Sequence, residues 1–420
     1  MIFSKRLLVL AFVAITCYIP QSASAQGVLL RSVGAVNASV GGTATGMPLD
    51  ACGALYWNPG SISALKKNEM TFGLELVDAN SRVASSVPGP NGTTISGSTK
   101  GEGGVIPVPS MGLVWSESPR SPFTFGLGMG AIGGAASLYP HVPGNPVLHE
   151  HGRSATVIVL QVTPTVSAQV TERMSIGIAP IVDLASLNIN PMSLGRDINP
   201  ANDLSLMTYG TRYVWGAGFQ IGTLYDFQNN FKAGFMFKSP IWAEKLYFAG
   251  TYLDGPENTS MSDTQTFQLN LPMTLSAGIS YDGLQNTVLG VDVRYIDYGN
   301  TAGLARGMAG TTVEGLGWES VMSVNIGAER KINNKLKARM GYCWNENPIP
   351  GRSAAQAISA PMITQHVFSC GFTKSLVKDL EMSAAYVHSF EAKLTGPYGP
   401  GTVTNTLSAN ALFTSISKKW

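Results

Sequence analysis

The chain has 420 residues, 13% of them charged and 44% hydrophobic, with 47 Gly, 24 Pro, 4 Cys and a net charge of +2. So few charges would leave a water-soluble surface poorly solvated, and near-neutrality lacks the basic footprint of a nucleic-acid partner. No stretch reaches the roughly 20 apolar residues of a membrane-spanning helix, so a membrane protein of this composition has to cross as a closed barrel.

The chain opens with Lys5 and Arg6, an apolar run over 7–15, Pro20 and then Ala23-Ser24-Ala25. That order is a secretory leader over 1–25, with the mature chain beginning near Gln26. The alternative, a lipoprotein acylated at Cys17, fits less well, because Thr16 precedes the cysteine and the cleavage site lies downstream. Cys52, Cys343 and Cys370 then remain, too scattered for a disulfide framework or a metal site, and are expected as small buried or wall-lining side chains.

Residues 26–68 come next. They are rich in small residues (Gly41, Gly42, Thr43, Ala44, Gly46) and run into an aromatic, Asn-Pro and lysine-rich stretch, "GALYWNPGSISALKKNEM". This composition suits a compact irregular backbone in a confined space.

From Met70 onward the sequence alternates. In "TVLGVDVRYIDYG", Leu289, Val291, Val293 and Tyr295 share one face, and Gly290, Asp292 and Arg294 the other; "LKARMGYCW" and "RMSIGIAPIVD" behave alike. About fourteen strands are expected, centred near Phe72, Met111, Phe125, Val159, Ile178, Trp215, Phe235, Leu275, Val291, Val324, Met340, Phe368, Ala384 and Leu412. Alternate links are tight, at 170–173, 226–230, 282–286, 332–335 and 377–379, and the intervening ones are long and rich in Gly, Pro, Asn and Ser. That alternation predicts an all-β transmembrane antiparallel barrel over 69–420, with short periplasmic turns, long extracellular loops and both mature ends on the periplasmic side. The chain ends on Trp420, as such barrels often do, although Lys418 and Lys419 interrupt the apolar alternation. About fourteen strands enclose a lumen that must be filled or conduct water, so 26–68 is expected to be an N-terminal hatch, or plug, inside it.

The stretch "SVGGTATGMPLDACGALYWNPGSISAL" resembles the hatch of the FadL-type family of outer-membrane long-chain fatty acid transporters, which includes toluene-type channels. "LPMTLSAGISYDGLQNTVLGVDVRYIDYG", "WESVMSVNIGAERKINNKLKARMGYCWNENPIP" and "FKAGFMFKSPI" resemble later segments of the same family, so the likeness spans nearly all the mature chain. It implies a fourteen-stranded barrel, a hatch, and passive passage of hydrophobic molecules. It also implies a gate-linked Asn-Pro-Ala motif near an inward kink of the third strand. Here the motif is Asn58-Pro59-Gly60, departing at its third position, and the glycine-rich third strand offers Gly133-Gly134 as the kink and lateral opening. The plainer reading of Asn58-Pro59 is an ordinary turn before the first strand.

A carboxylate-bearing cargo needs an apolar tunnel with one or two fixed donors. By parity Arg294, Lys337 and Arg339 point inward, as do Asp292 and Glu329, and the three cations are the candidate ligand contacts. The plainer reading of each is an interior network of paired charges, because barrel lumens are polar. His149, Glu150 and His151, with His141 nearby, suggest at most an adventitious surface metal site, and no metal or cofactor is assigned. His366 and His388 have no nucleophile motif beside them, and no glycine run has the strand-to-helix context of a phosphate loop, so no enzyme is expected. The resulting expectation is a monomeric channel for fatty acids or aromatic hydrocarbons, in contact with outer-membrane lipid and lipopolysaccharide. The alternatives are a general diffusion porin for small polar solutes and a barrel that binds through its loops.

Overall fold

The computed structural model describes residues 27–65, 67–118, 120–149, 152–190, 206–208, 213–254, 259–305, 307–309 and 312–420. The expected leader, Cys17, Glu150 and His151 lie outside the described residues.

Fourteen strands form the wall: β1 Glu69–Pro88, β2 Val105–Trp115, β3 Phe123–Tyr139, β4 Arg153–Gln169, β5 Met174–Asn190, β6 Val214–Asp226, β7 Phe231–Lys238, β8 Thr274–Leu284, β9 Thr287–Ile296, β10 Val321–Asn333, β11 Leu336–Asn345, β12 His366–Val377, β13 Leu380–Tyr398 and β14 Gly401–Lys419. Each expected strand centre falls within one of them. Every strand pairs antiparallel with its neighbours in sequence, and β1 closes on β14 from Glu69↔Lys419 to Ser86↔Thr402. Closure leaves the barrel wall without the two free edges of an open sheet.

Period-two alternation sorts the side chains as the sequence predicts. On β5, Ile178 is 47% exposed while Ala179 beside it is fully buried; the outward residues Phe72, Leu74, Phe235, Met340 and Leu412 belong to the same apolar outer face. Lys419, which breaks the terminal pattern, turns inward and pairs with Glu69 at 3.4 Å and Glu381 at 2.9 Å. Cys52, Cys343 and Cys370 are free.

Three features depart from the expected pattern, the first being that Thr94–Lys100, within the long link after β1, pairs back on β1 from Arg82↔Lys100 to Pro88↔Thr94. The link between β13 and β14 is only residues 399–400, at the long-loop end, because both strands run for 19 residues and meet in a tight hairpin. The 239–273 loop, in turn, contains its own hairpin, Leu246–Asp254 with Thr259–Phe267, whose register runs from Leu246↔Phe267 to Asp254↔Thr259.

The hatch occupies the lumen. It comprises helix α1 (Ala35–Ser39), helix α2 (Ala51–Trp57) and a 3-10 turn, Pro59–Ala64. Asp50 caps α2 by accepting from the Gly53 N–H. Because the hatch is not a sheet, its backbone must find partners elsewhere. Inward side chains of the wall supply them. Asn325 donates to Gly41 O at 2.6 Å, Ser280 to Gly46 O at 2.7 Å, Gln220 to Leu55 O at 2.8 Å and Ser175 to Gly60 O at 2.7 Å.

Close approach of two backbones leaves no room for side chains between them, and glycines on the wall provide it. A Cβ at Gly234 on β7 would overlap the Thr45 carbonyl, and one at Gly341 on β11 would overlap the hatch at Val40-Gly41. Gly234→Val should therefore unseat the hatch while the barrel still forms. The measurement is limited proteolysis with peptide mapping, alongside gel mobility of unheated protein. Cleavage within 40–60 should rise at least several-fold, since overpacking of this kind costs about 1–3 kcal/mol; a wild-type cleavage rate would refute it.

Candidate functional site

The hatch is anchored at its centre by a buried ion pair. Asp292 and Arg294 sit two residues apart on β9, share an inward face and are fully buried, with Arg294 Nη2 3.0 Å from Asp292 Oδ2. The same Asp292 oxygen accepts from the Ala44 N–H at 2.8 Å and the Thr45 N–H at 2.9 Å, and Arg294 donates to Gly42 O at 2.5 Å. The guanidinium carbon of Arg294 also lies 3.3 Å from the centre of the Trp57 ring, and Lys238 Nζ lies 4.1 Å from that of Tyr56. The Tyr-Trp pair of the hatch thus rests against two wall cations.

Asn58 fixes the other end of the hatch. Its amide donates to Thr45 O at 2.7 Å and to Thr223 O on β6 at 2.9 Å, and its Oδ1 accepts from the Gly60 N–H at 3.0 Å. Pro59 and Gly60 press against Gly177 on β5, and Ile62 reaches Gly126 on β3. The Asn58-Pro59-Gly60 turn therefore meets β5 and β6 rather than the irregular part of β3.

That irregularity lies one residue from the expected site. The register of β3 on β4 shifts between Ala131 and Gly133, so Ile132 is the extra residue, and Gly133-Gly134 follow it. On its other side β3 pairs with β2 only from Ser110↔Gly130 to Trp115↔Phe125. Residues 105–109 of β2 stay paired to β1 but have no ladder partner on the β3 side. Contact resumes toward the long-loop end, where the Glu102 N–H donates to Leu138 O at 2.7 Å. Between these points the start of the hatch takes over. The Leu30 N–H donates to Ile132 O at 2.9 Å, and Leu29 bridges Gly133.

Two apolar chambers lie beyond the hatch. The wall chamber, of about 210 Å³, is bordered by residues 27–32 of the hatch, by Ile106 and Val108 of β2, and by Gly133, Gly134 and Ala136 of β3. The loop chamber, of about 100 Å³, is bordered by Val157, Leu187, Ile241, Phe267 and Trp318 among others. Both are bordered by Val28, Ser359, Ala360 and Met362, which form a shared partition.

Arg294, Lys337 and Arg339 all point inward, and none borders either chamber. Arg339 donates to Glu329 at 2.7 Å and to Thr373 at 2.7 Å, and Lys337 borders a polar cavity at the short-turn end. The charged residues on the chambers are Arg31 and Glu75 in one, Arg153 and Asp183 in the other. Inward parity marks Glu75 and Asp183 in the sequence just as it marks Arg294. His149 Nδ1 lies 2.8 Å from Pro143 O, and His141 Nε2 2.7 Å from His149 O. Among the described residues no cluster of three ligating side chains exists.

A closed fourteen-stranded barrel with an apolar outer face and a segment inside it is a plugged barrel of the bacterial outer-membrane type. The sequence profile of the family described as "Outer membrane protein transport protein (OMPP1/FadL/TodX)" matches residues 16–405, and the chain belongs to that family. Among solved structures, it resembles the toluene transporter TodX of Pseudomonas putida, at TM-score 0.70 and 17% identity over 94% of this chain and 100% of that one. It also resembles the toluene transporter TbuX of Ralstonia pickettii, at 0.66 and 16% over 93% and 99%, and a FadL homologue of Pseudomonas aeruginosa, at 0.69 and 14% over 94% and 99%. No curated protein sequence matches it. Family and fold together indicate a location in the bacterial outer membrane.

Two predictions follow from the anchoring of the hatch. Removing one member of a buried ion pair strands the other, at a cost of about 3–5 kcal/mol, so Asp292→Asn and Arg294→Met should each loosen the hatch, seen as faster amide exchange over 40–60. Exchange at wild-type rates in both would count against the anchor. Asp50 in the hatch carries a carboxyl pushed up to about 7, first by burial and then by Glu69. The folded pKa exceeds the unfolded value, so the folded state binds the extra proton and stability falls as pH rises from about 4 to 7. The thermal midpoint should thus rise as pH is lowered from 8 to 5, and Asp50→Asn should flatten that slope; an unchanged slope would remove Asp50 as its source.

Proposed function

We propose that the protein is a passive outer-membrane channel for hydrophobic compounds, long-chain fatty acids or aromatic hydrocarbons, with lateral exit through the wall between β2 and β3. The observation that carries this reading is the stretch of residues 105–109 and 131–136 where the two strands leave their ladder unpaired beside an apolar chamber. Kinship with solved toluene transporters supports an apolar cargo.

In this reading cargo enters among the long loops, rests in the loop chamber, and crosses the partition at Val28 and Met362 when the start of the hatch shifts. It then leaves sideways into lipid, where an apolar molecule avoids the cost of periplasmic water. Leu29 and Leu30 are the moving gate. Asn58, Pro59 and Gly60 hold the fixed end, Arg294 serves the hatch, and Arg339 serves a charge network of the wall, neither of them the cargo. The barrel acts as a monomer, with its outer face against lipid and lipopolysaccharide.

The test is uptake of labelled oleate, toluene and a small sugar by a host lacking its own transporter of this kind. Entry of either hydrophobic compound should rise without the sugar; entry of the sugar alone would replace this reading with a general diffusion porin. Gly133→Val should slow uptake several-fold in a well-expressed protein, because its side chain would crowd the Val28 carbonyl, 3.0 Å from the new Cβ. Gly134→Val should add to the effect. A reducible cross-link between cysteines at Ile106 and Ala136 should block uptake until reduced, and full uptake with the link in place would exclude this exit.

A further inference from the structure

The loop chamber is apolar almost throughout, yet one carboxylate borders it. Asp183 of β5 is 2% exposed and faces inward. Its Oδ1 accepts from Gln161 Nε2 at 2.8 Å, from the cross-strand neighbour on β4. Its Oδ2 is buried with no hydrogen-bond partner. The cross-strand neighbour on the other side is Gly216 of β6, which has no side chain to cover the carboxylate and itself borders the chamber. A second acceptor, Gln356 Oε1, also belongs to the chamber lining and is likewise buried without a partner. A buried acceptor left unmatched is costly, more so when it is charged.

This arrangement selects for a guest. An apolar body fits the aliphatic walls, and a donor on that body satisfies Asp183. A chamber of about 100 Å³ is smaller than the roughly 150 Å³ cavity that holds a benzene ring, so it admits a single ring only with some give in its walls and has no room for a long chain. A carboxylate guest would meet a like charge at Asp183, and the cation on the same chamber, Arg153, already directs its Nε to Val147 O at 3.1 Å. An ammonium guest is disfavoured as well, because Asp183 already interacts electrostatically with Lys238, a buried cation. The wall chamber also carries one acidic side chain and one basic one. Glu75 borders it and makes no hydrogen bond or ion pair with the described residues, while Arg31 directs its guanidinium to Thr364 and Asn345.

We propose that Asp183 is a specificity residue that accepts a hydrogen bond from an uncharged hydroxyl on a small apolar guest, so that the channel prefers phenol-type compounds over the parent hydrocarbon and over the carboxylate. This rests on the hydrophobic-channel reading and narrows its cargo.

The test is binding to the purified full chain in detergent at pH 7, by calorimetry, with three probes of one shape: p-cresol, toluene and 4-methylbenzoate. A hydrogen bond to a charged acceptor should favour p-cresol over toluene by about tenfold or more, with 4-methylbenzoate weakest. Asp183→Ala should bring the cresol-to-toluene ratio to within about twofold. Gly216→Ala, which keeps every charge and sets a methyl group 3.5 Å from Asp183 Cβ and 3.1 Å from Ile241 Cγ2, should also reduce the ratio and serves if the first variant does not fold. Equal affinity of the unmodified protein for cresol and toluene would overturn the proposal while leaving the channel reading standing. So would a ratio that survives both substitutions, or 4-methylbenzoate binding as tightly as cresol. Failure of all three probes to bind, with no uptake of toluene or oleate, would overturn the channel reading itself.

Discussion

An irregular segment inside a closed barrel has to find a partner for nearly every backbone N–H and C=O it carries, and that requirement shapes both the hatch and the wall around it. No water-rich surface is available to the buried part, and the wall strands spend their own backbone bonds on one another. The solution is side-chain donors and acceptors placed at inward positions: Asp292 for two hatch amides, Arg294 for a carbonyl between them and the first strand contacts, Asn325, Ser280, Gln220 and Ser175 for the rest. Asp292 Oδ2 and Arg294 Nη2 pair with each other as well as with the hatch, and that pairing offsets the burial of two full charges in one place. The polar lumen is in this sense a mould for one particular backbone.

The same accounting governs the wall. Where β2 parts from β3, the freed backbone of Ile132 and Gly133 is taken up by Leu29 and Leu30. The hatch therefore completes the sheet at the place where it is weakest. The two apolar chambers meet at a partition to which that segment contributes Val28. Position in the hatch and integrity of the wall are thus two readings of a single set of hydrogen bonds.

Much of this was legible in the sequence because a barrel wall obeys local rules. Alternation with period two, short turns at one end and an apolar outer face are set by nearest neighbours, and all fourteen strand centres followed from them. Lys419 looked like a defect only because its partners, Glu69 and Glu381, lie on β1 and β13. Glycine runs are visible, so the register shift at Ile132 has a signal beside it in Gly133-Gly134, whereas the segment touching it has none: Leu29 and Leu30 carry no motif, and the visible Asn58-Pro59-Gly60 turn stands against β5 and β6. Asp183 was missed for a different reason. Its inward parity was as plain as that of Arg294, but its meaning depends on Gly216 and Gln161 from neighbouring strands and on the loops that roof the chamber. The hairpin within 239–273 was likewise hidden, since its pairing is confirmed only by the fold of the loop itself.

The glycines of the wall have a further consequence for how this chain can change. A contact between two backbones carries no side-chain identity, so the residues on either side of it can drift without altering the fit, provided the glycine itself stays. Gly234 and Gly341 are such points. They make the barrel a socket keyed by absence: substitutions elsewhere on the lumen face revise what the chambers recognise, while the handful of missing side chains preserves the seat on which every such revision has to be built.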